Sequence, residues 1–113
     1  PSPAEDYIEK KLDLHRHLVR NEPATFFFKA SGQAVSSAGI CDGDLLVVDR
    51  SITAVSGRIV IAALEGELVV KRLLKRGERF FLTSENSEAP ECDITGHEDV
   101  CIWGVVTHAV HTL

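Results

Sequence analysis

Lys71 is the residue with the clearest chemical potential in this chain. It lies in the stretch GELVVKRLL, where Leu and Val flank Lys71 and Arg72. If the stretch is a strand, alternation sets Val69, Lys71 and Leu73 on one face and Leu68, Val70, Arg72 and Leu74 on the other. Sharing a face with Val and Leu would strip water from the amine and disfavour its charged form. A neutral amine can then take a proton from a hydroxyl. The same pattern also fits a lysine whose stem lies along the sheet while its ammonium reaches water. Periodicity leaves both readings open.

The remaining reactive side chains are sparser. The cysteines, Cys41, Cys92 and Cys101, are three in number with no C-x-x-C spacing, so neither a disulfide framework nor a zinc knuckle is expected. Of the five histidines, His15 and His17 are two apart in an expected helix and diverge. His108 and His111 are three apart in an expected strand and point to opposite faces. No metal site and no cofactor are expected. The stretch CDGDLLVVD, residues 41–49, has the acids of a calcium loop but neither its twelve-residue spacing nor its closing glutamate. A tight turn using the backbone freedom of Gly43 is the better reading.

The elements that must position these groups are mostly strands. Residues 1–12, with two prolines and mixed charge, read as an extended arm, and residues 13–113 as one domain. Asp13 can cap a short helix over residues 14–20, and Pro23 lies just past its end. Six strands are then expected, over residues 25–29, 44–49, 58–64, 67–74, 79–83 and 100–111. Glu65-Gly66 has the form of a hairpin turn, and residues 85–90 that of a polar loop. Gly104, inside the last strand, signals a bulge or a close backbone approach. Phe26 and Phe28 share one face of the first strand and Phe27 the other, so one face belongs to a core and Phe27 or Trp103 could meet a partner. The sum is a mainly β, twisted, partly closed sheet assembly with one short N-terminal helix.

Composition narrows the function classes. The 113 residues are 44% hydrophobic and 26% charged, which is ordinary for a folded domain. A net charge of −5 argues against a domain that holds DNA through its phosphates. The densest basic run, Lys71, Arg72, Lys75, Arg76 and Arg79, reads as a solvated turn between strands. The apolar run at residues 59–64 is far too short to span a membrane. No signal-peptide pattern is visible, and the free cysteines suit a reducing, cytoplasmic compartment.

Several long stretches then bring in a family. PSPAEDYIEKKLDL, PATFFFKASG, GICDGDLLVVDRSITAVSGRIVIAALEGELVVKRL and WGVVTHAVH resemble, in order and over nearly the full length, the UmuD-like branch of the LexA-like S24 Ser–Lys peptidases. The resemblance is to the processed form of that branch. Family members cut their own N-terminal arm with a serine and a lysine, a variant of the serine-plus-base arrangement. The resemblance puts Lys71 in the place of the base. It puts Ala34, within SGQAV, in the place of the serine. Gln33, Val35 and Arg58 also depart from the family pattern.

A methyl group cannot attack a carbonyl, so self-cleavage by the usual route is not expected. Ser31, Ser36 and Ser37 are the neighbouring hydroxyls, but small displacements of a nucleophile are costly. The resemblance also implies that the chain opens just past the family's cleavage point, so an absent arm and an absent serine are consistent with each other. It further implies a homodimer that serves as accessory subunit to an error-prone, Y-family translesion DNA polymerase in the SOS response. That complex would act with a RecA filament, without sequence-specific DNA binding of its own. Two alternatives are a self-cleaving peptidase whose serine at position 34 has been replaced by design, and the dimerisation and autocleavage half of a LexA-like repressor.

Overall fold

The computed structural model describes residues 14–19, 22–32, 38–84 and 91–113. The expected arm (residues 1–12), the Asp13 cap, the polar loop at 85–90 and the segment 33–37 that contains Ala34 lie outside the described residues. In chain order the elements are helix α1 (Leu14–Leu18), a 3-10 turn (Glu22–Ala24), and seven strands. The strands are β1 (Thr25–Lys29), β2 (Leu45–Asp49), β3 (Ile59–Leu64), β4 (Glu67–Arg76), β5 (Arg79–Thr83), β6 (Cys92–Asp93) and β7 (Cys101–Val110). They form one antiparallel sheet in the order β1-β2-β7-β3-β4-β5-β6. The sheet is open, with β1 and β6 at its edges.

Apolar residues cover both faces of the central strands. On one face Leu46, Val48, Ile59 and Ile61 pack with Ala30 and Ile40, and Phe26 and Phe28 lie against them. On the other, Val60, Ala62, Leu73, Leu82 and Val105 form a second cluster. Strand β3 reads IVIAAL without interruption because its alternate residues enter different clusters. Phe27 points away from the first cluster and is 52% exposed, as its alternation with Phe26 and Phe28 requires.

The β3–β4 hairpin closes on Glu65 and Gly66, at φ 52° and 80°. Leu64 pairs with Glu67 across this two-residue loop. Positive φ at both positions is the primed turn that matches strand twist, and it makes Glu65 a non-glycine residue in the left-handed region.

Two expectations need correction. The basic run is not a turn: Lys71 through Arg76 are all strand, and only Gly77 and Glu78 turn before Arg79 begins β5. There is also a seventh strand, β6, two residues long and so without a readable period.

The long strand β7 lies between β2 and β3, and its register shifts on both sides. Val47 pairs with His108 but Val48 with Val106. Ile61 pairs with Gly104 but Ala62 with Ile102. Thr107 and Trp103 are therefore the extra residues of two bulges. Gly104 is the close approach as well. A Cβ there would stand 2.7 Å from Val48 Cγ1 and 3.2 Å from the Asp49 carbonyl oxygen. Val48 is fully buried and has no room to retreat. Gly104→Ala should therefore destabilise the fold by about 1–3 kcal/mol of overpacking. That outweighs the roughly 0.4–1 kcal/mol that alanine gains by stiffening the unfolded chain. Urea unfolding of the variant measures the difference.

Candidate functional site

Strand β4 changes its neighbours halfway along, and Lys71 sits at the change. Residues Glu67 to Arg72 pair with β3 on one side. On the other side β5 pairs only from Arg72 to Arg76. Among the described residues, no strand covers the outer edge of β4 from Glu67 to Lys71. A cleft of about 230 Å³ opens there, lined by Phe28 and Ser31 from the end of β1 and by Glu67, Leu68, Val69, Val70 and Lys71. Lys71 pairs with the fully buried Val60 and is itself half-buried. Its ammonium has no ion-pair partner among the described residues.

The segment expected to carry the serine position, 33–37, is bracketed by two well-held flanks. Ala30 and Ile40 are buried in the same cluster. Ala30 donates its N–H to the Asp44 carbonyl at 2.8 Å and accepts from the Gly43 N–H at 2.7 Å. Gly32 donates to the Asp42 carboxylate at 2.7 Å. Gly43 has a φ of 85°, so this is the tight turn expected in place of a calcium loop. Ala34 itself, with Ser36 and Ser37, lies outside the described residues. Ser31 is exposed and shares the cleft with Lys71.

A second cluster surrounds Asp44, which is 1% exposed. Its Oδ2 accepts the Cys41 N–H at 2.8 Å, and its Oδ1 lies 2.6 Å from His111 Nδ1. These partners, the Cys41 amide first and His111 second, hold the Asp44 carboxyl below its ordinary 3.8. His111 lies just past the end of β7 and not within the strand, and three of the histidines meet groups distant in sequence. His111 meets Asp44, and the His17 and His108 rings are 6.0 Å apart. Sequence reading missed the Asp44–His111 pair because 67 positions separate its members.

Two members of the basic run pair with acids at the β6 edge. Arg76 forms a two-pronged pair with Glu91, with one hydrogen bond at 2.7 Å from Nη2 to Oε1. Arg79 pairs with Asp93 at 2.6 Å. Arg50 lies 5.3 Å from the centre of the Trp103 ring and donates to the Trp103 carbonyl at 3.0 Å. No helix among the described residues is long and apolar enough to cross a membrane.

An open antiparallel sheet, a lysine on an unpaired edge and a cleft beside it define a class that the sequence comparison makes explicit. A profile of the Peptidase S24-like family matches residues 1–107, and the chain belongs to that family. Among its relatives, Protein ImpA of Salmonella typhimurium is 47% identical over 111 residues, covering 98% of this chain and 75% of that protein. Protein MucA of Escherichia coli is also 47% identical over 111 residues, covering 97% and 75%. The LexA repressor of Bordetella avium (strain 197N) is 32% identical over 116 residues, covering 98% of this chain and 54% of the repressor.

Asp93 offers a test of the edge. Its carboxyl accepts the Thr95 N–H at 2.9 Å and also faces Arg79, and these groups lower its pKa from 3.8 to about 2, Thr95 being the larger cause. A depressed folded pKa contributes stability that is present above 3.8 and lost as the pH falls through about 2. Asp93→Asn should remove that part of the acid dependence. Denaturant unfolding of both proteins across this pH window should show a flatter acid limb for the variant.

Proposed function

We propose that this chain is a UmuD′-like accessory subunit of an error-prone translesion DNA polymerase in the SOS response, with alanine at the peptidase's nucleophile position. In this proposal residues 1–12 are an extended arm and residues 13–113 the S24-like domain. Lys71 occupies the position of the general base, and Ala34 that of the serine. The chain forms a homodimer, and two copies join a Y-family catalytic subunit activated by a RecA filament. The observation that carries the proposal is a pairing of opposites. Lys71 lines a cleft beside the edge of β4 that no strand among the described residues covers, while the stretch that resembles the family's serine segment reads SGQAV. Near-full-length identity of 47% to ImpA and MucA supports the same assignment over a repressor half, whose relative stands at 32%. The net charge of −5 suits a subunit that leaves DNA contact to its polymerase.

Light scattering coupled to gel filtration tests the assembly. The chain alone should run as a dimer and shift to a complex of two copies per polymerase subunit when the Y-family subunit of the same source is added. A dimer that ignores the polymerase overturns the proposal.

One observation favours a second reading, a peptidase that uses another hydroxyl: Ser31 lines the same cleft as Lys71. The two readings separate in a version of the chain that carries a family-type N-terminal arm with its cleavage site. That protein should stay intact, because losing a nucleophile that acts with its base costs about a millionfold. Ala34→Ser should restore cleavage, and Ala34→Ser combined with Lys71→Ala should abolish it again. Cleavage of the unaltered chain that disappears in Ser31→Ala would establish the second reading instead.

A further inference from the structure

We infer that Cys41, Asp44 and His111 form a divalent-metal site, and that zinc is the ion it takes. One donor atom from each, a thiol sulfur, a carboxylate oxygen and an imidazole nitrogen, lies within 4.8 Å of the other two.

The fold builds this convergence. Cys41 and Asp44 are three apart in a tight turn, closed by the Asp44 N–H on the Cys41 carbonyl at 3.1 Å. The antiparallel pairing of Leu45 with Val110 sets the next residue of each chain segment, Asp44 and His111, opposite one another. Asp44 is buried and held by the Cys41 amide, so it is the fixed member. Cys41 is exposed in its turn and the His111 side chain is 52% exposed beyond the end of β7, so these two can adjust.

The donor set selects the metal. Thiolate with imidazole suits zinc, whereas calcium and magnesium take oxygen ligands. With metal–donor bonds of about 2.0–2.3 Å, two donors on a tetrahedral ion stand roughly 3.3–3.8 Å apart. Closing from 4.8 Å takes about an ångström, within a rotation of the exposed thiol and ring. On binding, the Cys41 thiol releases its proton to water, and the proton that Nδ1 donates to Asp44 is lost as well, the ring carrying its one remaining proton on Nε2, so that the Nδ1 lone pair faces the metal. The ion then stands between the Asp44 carboxylate and His111 where a hydrogen bond stood before. Three protein ligands leave a fourth position for water or an exogenous donor. Zinc held there would tie the turn before β2 to the end of β7. The site uses neither Lys71 nor Ala34 and stands independently of the proposed function.

Titration of the reduced protein with Co²⁺, followed by Zn²⁺, tests the site. One Co²⁺ per chain should bind, with a thiolate-to-cobalt charge-transfer band and the intense visible bands of four-coordinate cobalt, and Zn²⁺ should displace it. Cys41→Ser should remove the charge-transfer band, and both Cys41→Ser and His111→Gln should weaken binding about tenfold or more. Cys92→Ser and Cys101→Ser should leave spectrum and affinity unchanged. Cys41→Ser changes an exposed side chain and leaves the Asp44–His111 hydrogen bond in place, and urea unfolding of metal-free His111→Gln, which loses that bond, checks that its affinity is read on a folded chain. Absence of a thiolate band in the unaltered protein overturns the assignment. So does a Cys41→Ser or His111→Gln protein that binds with unchanged affinity.

Discussion

Everything in this fold depends on the insertion of β7 between β2 and β3. Among the described residues, the last strand is the only one that hydrogen-bonds the β1–β2 pair to the β3-to-β6 meander. It must therefore match two neighbours at once, and it does so by carrying a bulge against each. Gly104 makes the match possible. Its missing side chain lets the backbone of β7 come against Val48 and Asp49, where any larger residue would collide. Because these pairings join residues far apart in sequence, their loop-closure cost is met only when the whole sheet assembles.

Pairing also decides where chemistry is possible. A lysine in a fully paired, double-covered strand would be costly to bury. Lys71 avoids that cost by sitting where β5 stops pairing with β4, half-buried beside a cleft. Among the described residues no strand pairs with this edge, and such an edge is the kind that an extended segment can add to. At the opposite end of β4 the edge is blunted. Strand β6 is two residues long, and ion pairs from Arg76 and Arg79 to Glu91 and Asp93 bind the segment 91–93 to the sheet. A short, charged edge resists further strand addition.

The Asp44 region shows how a turn and a register can act together. The carboxylate is almost wholly buried, yet each of its oxygens has a partner, and among the described residues no buried side-chain polar atom is left without one. One partner is local, the amide three residues back. The other is His111, brought in by the β2–β7 ladder. The turn, already tied to Ala30 and Gly32, is thereby also fastened to the end of the strand on which the sheet depends.

Much of this was legible in the residues themselves. Alternation in TFFFK and the continuous run IVIAAL identified β1 and β3, because side-chain direction along a strand follows from backbone geometry alone. Glu65-Gly66 announced its hairpin, and Gly104 announced a bulge or a close approach, of which the structure has the close approach at Gly104 and a bulge at the adjacent Trp103. The long matching stretches placed the chain among S24 peptidases and singled out Lys71 and Ala34 for attention. Other features had no local signal. The basic run belongs to strands because Arg76 and Arg79 face each other across a two-residue turn, a pairing that composition does not encode. Strand β6 exists only because β5 offers it an edge. The meeting of Cys41, Asp44 and His111 is tertiary in origin. Local sequence carries turn chemistry and periodicity, whereas the distance between residues 44 and 111 is set by register, a property of two strands together.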